Sequence, residues 1–369
     1  MKILSKKISA AIIASALGIT CTFALPVQNA AAVDTVGIIG SIIGGALVYR
    51  ELDSYMDRVN NTEEGRQEYF QKLKEEEGVS DNYARRNQLD AMMSRLTAGI
   101  GSVDPSVYDK PYLYFLNPKT EFNAACGLGH VLTINEGIFD MSDMEDEIAV
   151  VLAHEMGHGQ KDHVVKGTRK KLRTMLGASI ASGALGGTVL SNVALNALVG
   201  QINNVQITKK QEWEADNLAF DYCYQSGYNP GAGAALWQRV FEKQGEFKNN
   251  LLGEIFSPSD HPTHEERRDN YEKKLRKLSN DHVSVKKDSH MVLVNKKDFV
   301  IPAPAGGMSS AERKYFVMGN LAAAYARGQD KRNAYVSGRT VMLGDQPIIT
   351  TTEDDRPAKE LAALLNRIK

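Results

Sequence analysis

The sequence contains only three cysteines and almost no net charge, and each shortage excludes a class of protein. Three cysteines are too few for a disulfide scaffold, and their spacing matches no cysteine-based zinc site. Cys21 falls in an N-terminal leader, so only Cys126 and Cys223 could pair, and a bridge and two buried thiols both stay open. A formal net charge of -1, with no basic block beside aromatic residues, predicts that the chain does not bind nucleic acid.

What is present is typical of a globular protein that carries an export signal. Hydrophobic residues make up 43% and charged residues 24% of the 369 residues, which is enough for two or more domains with a sizeable core. Residues 1–32 combine a basic start, an apolar stretch and small residues at Ala30–Ala32. This pattern predicts a signal peptide and a location in the periplasm or cell envelope.

The segment after the leader has two parts. Val36–Val48 is an apolar patch of 13 residues, shorter than the roughly 17–25 residues that a membrane helix requires. We therefore interpret residues 33–82 as this patch followed by a charged helical lead-in. From residue 83 the spacing predicts a helix with an apolar stripe and then short strands, the last of them His130–Asn135.

A pair of histidines with HExxH spacing marks the candidate centre. In a helix, His154 and His158 lie one turn apart on one face, so both imidazoles can reach a single ion while Glu155 points beside it. This is the ligand geometry of a zinc hydrolase. Ser142 and Glu145 predict a capping box at the start of that helix.

The third ligand has to come from elsewhere in the chain. A metzincin would carry a histidine where this chain has Val164, so that class is excluded. We expect the motif helix to continue through His163, which then lies on another face and is interpreted as structural or as a support for a ligand. Glu212 is the candidate third ligand, and Asp216, one turn along, would orient a ligand imidazole. Glu214 lies about 200° round from Glu212 and is interpreted as a surface charge.

These motifs resemble the gluzincin zinc peptidases that include HtpX and the CAAX prenyl proteases. The resemblance covers roughly residues 83–278, and the leader and the lack of long hydrophobic spans make the chain most similar to the soluble periplasmic members of the BepA and LoiP type. The matching motifs are Glu-x-x-Ala-Asp at Glu212–Asp216, Asn123–Ala124 ahead of Gly129–Val131, and His261–Pro262 followed by Arg267.

The resemblance and the ligand set together imply a mechanism. One Zn2+ per chain would be held by His154, His158 and Glu212, with Glu155 as general base for a zinc-activated water. The resemblance implies Arg267 or a nearby histidine as the positive donor to the tetrahedral intermediate. The substrates would be unfolded or extended polypeptides, held by strand addition. The implied edge strand consists of Gly129, His130, Val131, Leu132 and Thr133.

The predicted fold class is α+β. A mainly helical gluzincin peptidase domain with a small β-sheet is expected over residues 83–280, and a small α+β domain of unknown role over residues 283–369. Within the latter, Tyr335–Thr352 is interpreted as a strand and Arg356–Ile368 as a helix.

Two functions of different classes stay open. The first is an active zinc endopeptidase that cleaves misfolded or unassembled envelope proteins. The second is a latent or chaperone-like binding protein whose zinc site is blocked by His261, since this histidine occupies the open zinc position in some soluble relatives. The alternative for His261 is a structural His-Pro turn. Thr174–Thr208 has no charged residue and is interpreted as a helical hairpin over the cleft, with peripheral membrane contact as the alternative. The oligomeric state cannot be read from the sequence.

Overall fold

The computed structural model describes residues 49–141, 144–182, 207–243 and 262–369. The predicted leader, the apolar patch, most of the uncharged segment and His261 lie outside these residues. Within them, the fold is α+β and mainly helical with small three-stranded sheets, which confirms the predicted fold class.

The helices and strands follow one another in a simple order. The helices are α1 (49–61), α2 (Glu63–Glu77), α3 (Tyr83–Gly101), α4 (Ile138–Met141), α5 (Glu145–Gln160), α6 (His163–Ser182), α7 (Lys209–Gln225), α8 (Ala232–Glu242), α9 (His264–Leu278), α10 (Ser310–Ala326) and α11 (Ala358–Ile368). The strands are β1 (Leu113–Asn117), β2 (Ala124–Cys126), β3 (Val131–Asn135), β4 (Val283–Val285), β5 (Val292–Val294), β6 (Lys297–Val300), β7 (Ala334–Ser337), β8 (Thr340–Leu343) and β9 (Gln346–Thr350).

Helix α5 carries the HExxH motif and is buried along most of its length. It packs against α7, α8, α3 and the first sheet, which together keep water from its sides. Its first turn holds Glu145, Asp146 and Glu147, whose negative charges suit the positive end of the helix dipole. Met144 is the N-cap residue and Glu145 the first residue of the helix, so Glu145 is not at the third helical position and the predicted capping box is wrong; Ser142 lies outside the described residues.

The motif helix ends earlier than predicted. Helix α5 stops at Gln160, and Lys161 and Asp162 form a turn before α6 begins at His163. Asp162 has a φ of +49°, a left-handed conformation that ends the α-helix at this point. His163 therefore starts a separate helix.

The first sheet contains the strand that was predicted to bind substrate. Its strand order is β1-β3-β2, with β3 parallel to β1 and antiparallel to β2. The prediction that Gly129–Thr133 forms an edge strand is wrong, because Val131, Leu132 and Thr133 belong to the central strand and Gly129 and His130 to the turn before it. The sequence could not separate the two positions, since a short strand buried on both faces has the same apolar pattern at the centre of a sheet as at its edge. The edge strand beside α5 is β2.

Helices α1 and α2 form a second apolar core with the sheet and α6. This core excludes water from the turn that joins β2 to β3. It consists of Leu52, Met56, Val59, Tyr69, Leu73, Phe115, Leu128, Val131 and Val165.

Two buried polar side chains from α1 and α2 hold that turn. The Oδ1 atom of Asn60 accepts a hydrogen bond from the backbone N–H of Gly129 at 2.8 Å, and Arg66 Nε donates to the Gly129 carbonyl at 2.7 Å. Gly129 has a φ of +66°, and a Cβ atom there would lie 2.7 Å from the Val59 carbonyl oxygen. The close approach therefore requires glycine.

The C-terminal part contains two antiparallel sheets, β4-β5-β6 and β7-β8-β9, with α10 and α11. The single strand predicted over Tyr335–Thr352 is wrong, because tight turns at Gly338 and Gly344, each with a φ of +58°, divide it into three strands. The apolar residues of this C-terminal part belong to the same core cluster as those of α5, α8 and α9. The C-terminal part thus packs on α8 and α9, and the boundary at 280–283 stays a prediction.

Two smaller questions from the sequence are answered within the described ranges. Cys126 and Cys223 are free, buried thiols rather than a disulfide. In the same part of the chain, no helix is both long and apolar enough to cross a membrane.

Candidate active site

The structure brings together the three side chains predicted to bind metal. Helix α5 presents His154 and His158 on one face, and their Nε2 atoms lie 3.0 Å apart. Glu212 of α7 faces both rings, with carboxylate oxygens 3.5 Å from the Nε2 of His154 and 3.6 Å from that of His158. Gly157 allows the two helices to approach closely, since a Cβ atom there would lie 3.3 Å from the backbone of Ala215.

This set of donors fits a zinc ion. The two imidazole nitrogens and one carboxylate oxygen lie within 4.8 Å of one another, and all three residues are buried. Two histidines and one glutamate are a ligand set of catalytic zinc sites, which keep a fourth position for water or substrate. No other group of three or more such residues is found in the part of the chain that the structure describes.

A buried charged pair lies behind His154. The Nδ1 atom of His154 is 3.0 Å from Asp216 Oδ1, and Arg267 Nε donates to the other oxygen of the same carboxylate at 2.6 Å. Burial lowers the pKa of His154, but the hydrogen bonds to Asp216 and Glu212 outweigh it and raise that pKa to about 9. A metal ion would have to displace this proton, because only the neutral imidazole nitrogen is a ligand.

Arg267 lies on the Nδ1 side of His154, and its Nη1 atom also comes within 3.8 Å of Glu212 Oε2. It is buried, bonds to Asp216, comes within 3.2 Å of the His154 Nδ1 atom, and stacks 3.8 Å from the ring centre of Trp237. These contacts favour a role in holding Asp216 and His154 over the predicted direct contact with a reaction intermediate.

His158 has a different environment on its Nδ1 side. That nitrogen lies 2.8 Å from Nδ1 of His163, whose Nε2 lies 3.2 Å from Glu214 Oε2. Burial lowers the pKa of His158 well below its usual range, which keeps the ring in the neutral form that binds metal.

Glu155, the predicted general base, lies against strand β2. Asn123 and Gly127 bond through their backbones to β3 at 2.9 and 2.8 Å, so by strand alternation the backbone groups of Ala124 and Cys126 face the other way. The backbone N–H of Cys126 donates to Glu155 Oε2 at 3.0 Å. Burial raises the pKa of the Glu155 carboxyl to about 7, a value suited to proton transfer near neutral pH.

Comparison with known proteins agrees with this geometry. Residues 83–274, more than half of the chain, match the sequence pattern of a family described as peptidase family M48. The chain belongs to peptidase family M48. The family resemblance inferred from the motifs is thereby confirmed.

Relatives with related names occur in bacteria and eukaryotes. The M48 chain is 31% identical over 175 residues to "Metalloprotease LoiP" of Escherichia coli (strain K12), which covers 47% of this chain and 66% of that protein. It is 25% identical over 142 residues to "Beta-barrel assembly-enhancing protease" of the same organism, covering 36% and 29%. It is 29% identical over 133 residues to "Mitochondrial metalloendopeptidase OMA1" of Schizosaccharomyces pombe, covering 36% and 38%. Each match spans less than two thirds of the relative.

Sequence reasoning found the M48 ligand set but missed two features of the site. Glu214 was interpreted as a surface charge, although it bonds to His163 beside a ligand. The edge position of β2 was also missed. The sequence signal for Glu214 was indirect. His163 follows His158 by five residues and can contact it only if the helix breaks between them, and Glu214 then becomes a partner of His163. The predicted zinc contact of His261 lies outside the described residues.

Proposed function

We propose that this M48 chain is a zinc-dependent endopeptidase. The observation that carries the proposal is the convergence of His154, His158 and Glu212 on one point, with Glu155 between that point and the outer edge of β2. A site that bound zinc for structure alone would not need Glu155, since the metal would be held by its ligands.

The reaction follows from where each side chain lies. A zinc ion held by these ligands would polarise the substrate carbonyl and lower the pKa of a water molecule. The Glu155 carboxylate takes a proton from the attacking water and delivers it to the nitrogen of the leaving amine. Asp216 holds the His154 ring in orientation through Nδ1, and Arg267 holds Asp216.

Extended polypeptides are the substrate class that the edge of β2 suits. The backbone groups of Ala124 face away from β3, while the Cys126 N–H on the same edge bonds to Glu155, so a peptide can add as a further strand beside Ala124. Backbone hydrogen bonds recognise no particular side chain, so the proposed enzyme selects unfolded segments more than a sequence.

The proposed substrates are misfolded or unassembled proteins of the cell envelope. The basis is the predicted signal peptide, and the similarity to a relative named as a beta-barrel assembly-enhancing protease. Mass spectrometry of the protein purified from its own cells tests this part. A mature chain that starts near residue 33 is expected, and a retained Met1 would contradict export by cleavage.

Casein digestion with and without a chelator tests the enzymatic proposal. The wild-type protein should cleave casein, lose activity on chelation and regain it with Zn2+. Glu155→Gln should bind Zn2+ as tightly as the wild type yet cleave at least about 100-fold more slowly, because the proton acceptor is lost. Glu145→Gln, which changes an exposed acid on the same helix, is the matched control. A Glu155→Gln protein that cleaves at the wild-type rate would contradict the mechanism.

A further inference from the structure

Three side chains form a hydrogen-bonded row that ends at a predicted zinc ligand. His158 Nδ1 and His163 Nδ1 lie 2.8 Å apart, and His163 Nε2 lies 3.2 Å from Glu214 Oε2. His163 is buried, whereas the Glu214 side chain is 46% exposed. The row thus joins the buried site to a carboxylate that can be changed without opening the core.

Only one arrangement of protons satisfies the row when Nε2 of His158 binds metal. The neutral ring of His158 then carries its hydrogen on Nδ1 and donates it to Nδ1 of His163. His163 must accept at that nitrogen, so its own hydrogen lies on Nε2 and is donated to the Glu214 carboxylate. Each member therefore fixes the tautomer of the next.

The break between α5 and α6 makes this row possible. In a continuous helix His163 would lie about 140° round the axis from His158, since each residue turns about 100°. The turn at Lys161 and Asp162 instead brings the rings of His158 and His163 to 5.0 Å, edge to face at 70°. This geometry aims a ring N–H of one histidine at a ring nitrogen of the other.

The two histidine ligands are held in different ways. His154 bonds directly to Asp216, which Arg267 anchors. His158 reaches its carboxylate, Glu214, through an intervening imidazole. A carboxylate on the outer nitrogen of a ligand histidine orients the ring and raises its basicity toward the metal.

We infer that His163 and Glu214 are positioning residues that orient His158 and strengthen the hold of the site on zinc. The inference rests on the proposed function, because it needs Zn2+ as the ligand. Loss of such a contact typically weakens metal affinity 10–100-fold. We expect Glu214→Gln and His163→Asn each to weaken Zn2+ affinity by about tenfold, since Asn keeps an acceptor near the Nδ1 position but cannot reach Glu214.

The test is Zn2+ binding by the full-length protein, measured at pH 7 in competition with a fluorescent chelator. The single variants, the double variant His163→Asn/Glu214→Gln and the control Asp221→Asn are compared, the last being an exposed acid on α7. If the row acts as one unit, the double variant should bind no more weakly than either single variant. The control should match the wild type, and the unfolding midpoint of the chelated protein should change little in Glu214→Gln.

Two outcomes would overturn this inference but not the proposed function. One is a Glu214→Gln protein that binds Zn2+ as tightly as the wild type, and the other is a double variant whose loss of Zn2+ affinity equals the product of the two single losses. A wild-type protein that binds no Zn2+ would instead overturn the proposed function, and this inference with it. Tight zinc binding by a wild type that cleaves no peptide would leave the row supported while removing the enzymatic proposal. The readout is therefore affinity, not activity.

Discussion

Asp216 and Arg267 place two opposite charges inside the protein, in contact with each other and with a predicted metal ligand. A buried ion pair is a modest source of stability while it is intact, because desolvation offsets much of the attraction. Removing one partner is costly, since the other charge stays buried without compensation. The pair therefore links the stability of the fold to the orientation of His154.

Arg267→Met tests this link. It should lower the free energy of unfolding by about 3–5 kcal/mol, because the Asp216 carboxylate loses its partner while the Trp237 ring keeps an apolar neighbour. Urea denaturation measures the change. Arg276→Met, which removes a half-exposed arginine from the same helix, should change it by less than about 1 kcal/mol. If Arg267→Met kept wild-type stability and lost only kcat, the direct contact with the intermediate implied by the sequence would be favoured instead.

Helices α1 and α2 lie before residues 83–274, the region that matches the M48 family. They nevertheless contact the turn after β2, which is part of that region. Asn60 also donates to Asp162 Oδ1 at 3.2 Å, so one side chain joins the β2–β3 turn to the α5–α6 turn. Both turns flank the candidate site. The upstream helices thus help to position β2 against Glu155.

Asn60→Ala tests this contribution. The Gly129 N–H loses its acceptor in a buried turn, so the free energy of unfolding should fall by about 1–3 kcal/mol. Hydrogen exchange should quicken in the segment around residues 127–131. Asn87→Ala, at an exposed position on α3, should leave both quantities close to those of the wild type. Unchanged exchange in Asn60→Ala would contradict a role for α1 and α2 in holding β2.

For the molecule as a whole, His130 predicts a dependence of stability on pH. Burial, with the nearby Lys110, lowers the pKa of His130 to about 4, while an unfolded histidine titrates near 6.5. The folded protein therefore binds fewer protons between these values, so this contribution to stability is present above pH 6.5 and is lost as pH falls toward 4. A difference of this size corresponds to about 3 kcal/mol.

His130→Asn should remove that part of the pH dependence. Asparagine tolerates the φ of +56° at this position and does not titrate. Urea unfolding at pH 7 and pH 4.5 should show a smaller difference for His130→Asn than for the wild type. His290→Asn, at an exposed position, is the control and should keep the wild-type difference. Equal differences in all three proteins would contradict the assignment to His130.

Local patterns were enough to predict much of this molecule. The apolar stripe predicted for the helix that starts at residue 83 is buried in α3, at Leu89, Met92, Met93 and Leu96. The spacing of His154 and His158, and of Glu212 and Asp216, predicted which faces meet, because helical neighbours at three or four residues share a face. These features depend on contacts within one turn of helix.

Features that depend on partners far away in the chain could not be predicted in the same way. Whether β3 is a central or an edge strand depends on β1 and β2. The role of Glu214 depends on its contact with His163, 51 residues earlier, which follows a helix break. The sequence therefore determined the candidate metal ligands and the family, because these follow from spacing along a helix. Only the tertiary structure decided which strand faces the site, where Arg267 points and how His158 is held. These features depend on how helices and strands far apart in the sequence pack together, and a local sequence pattern carries no information on that packing.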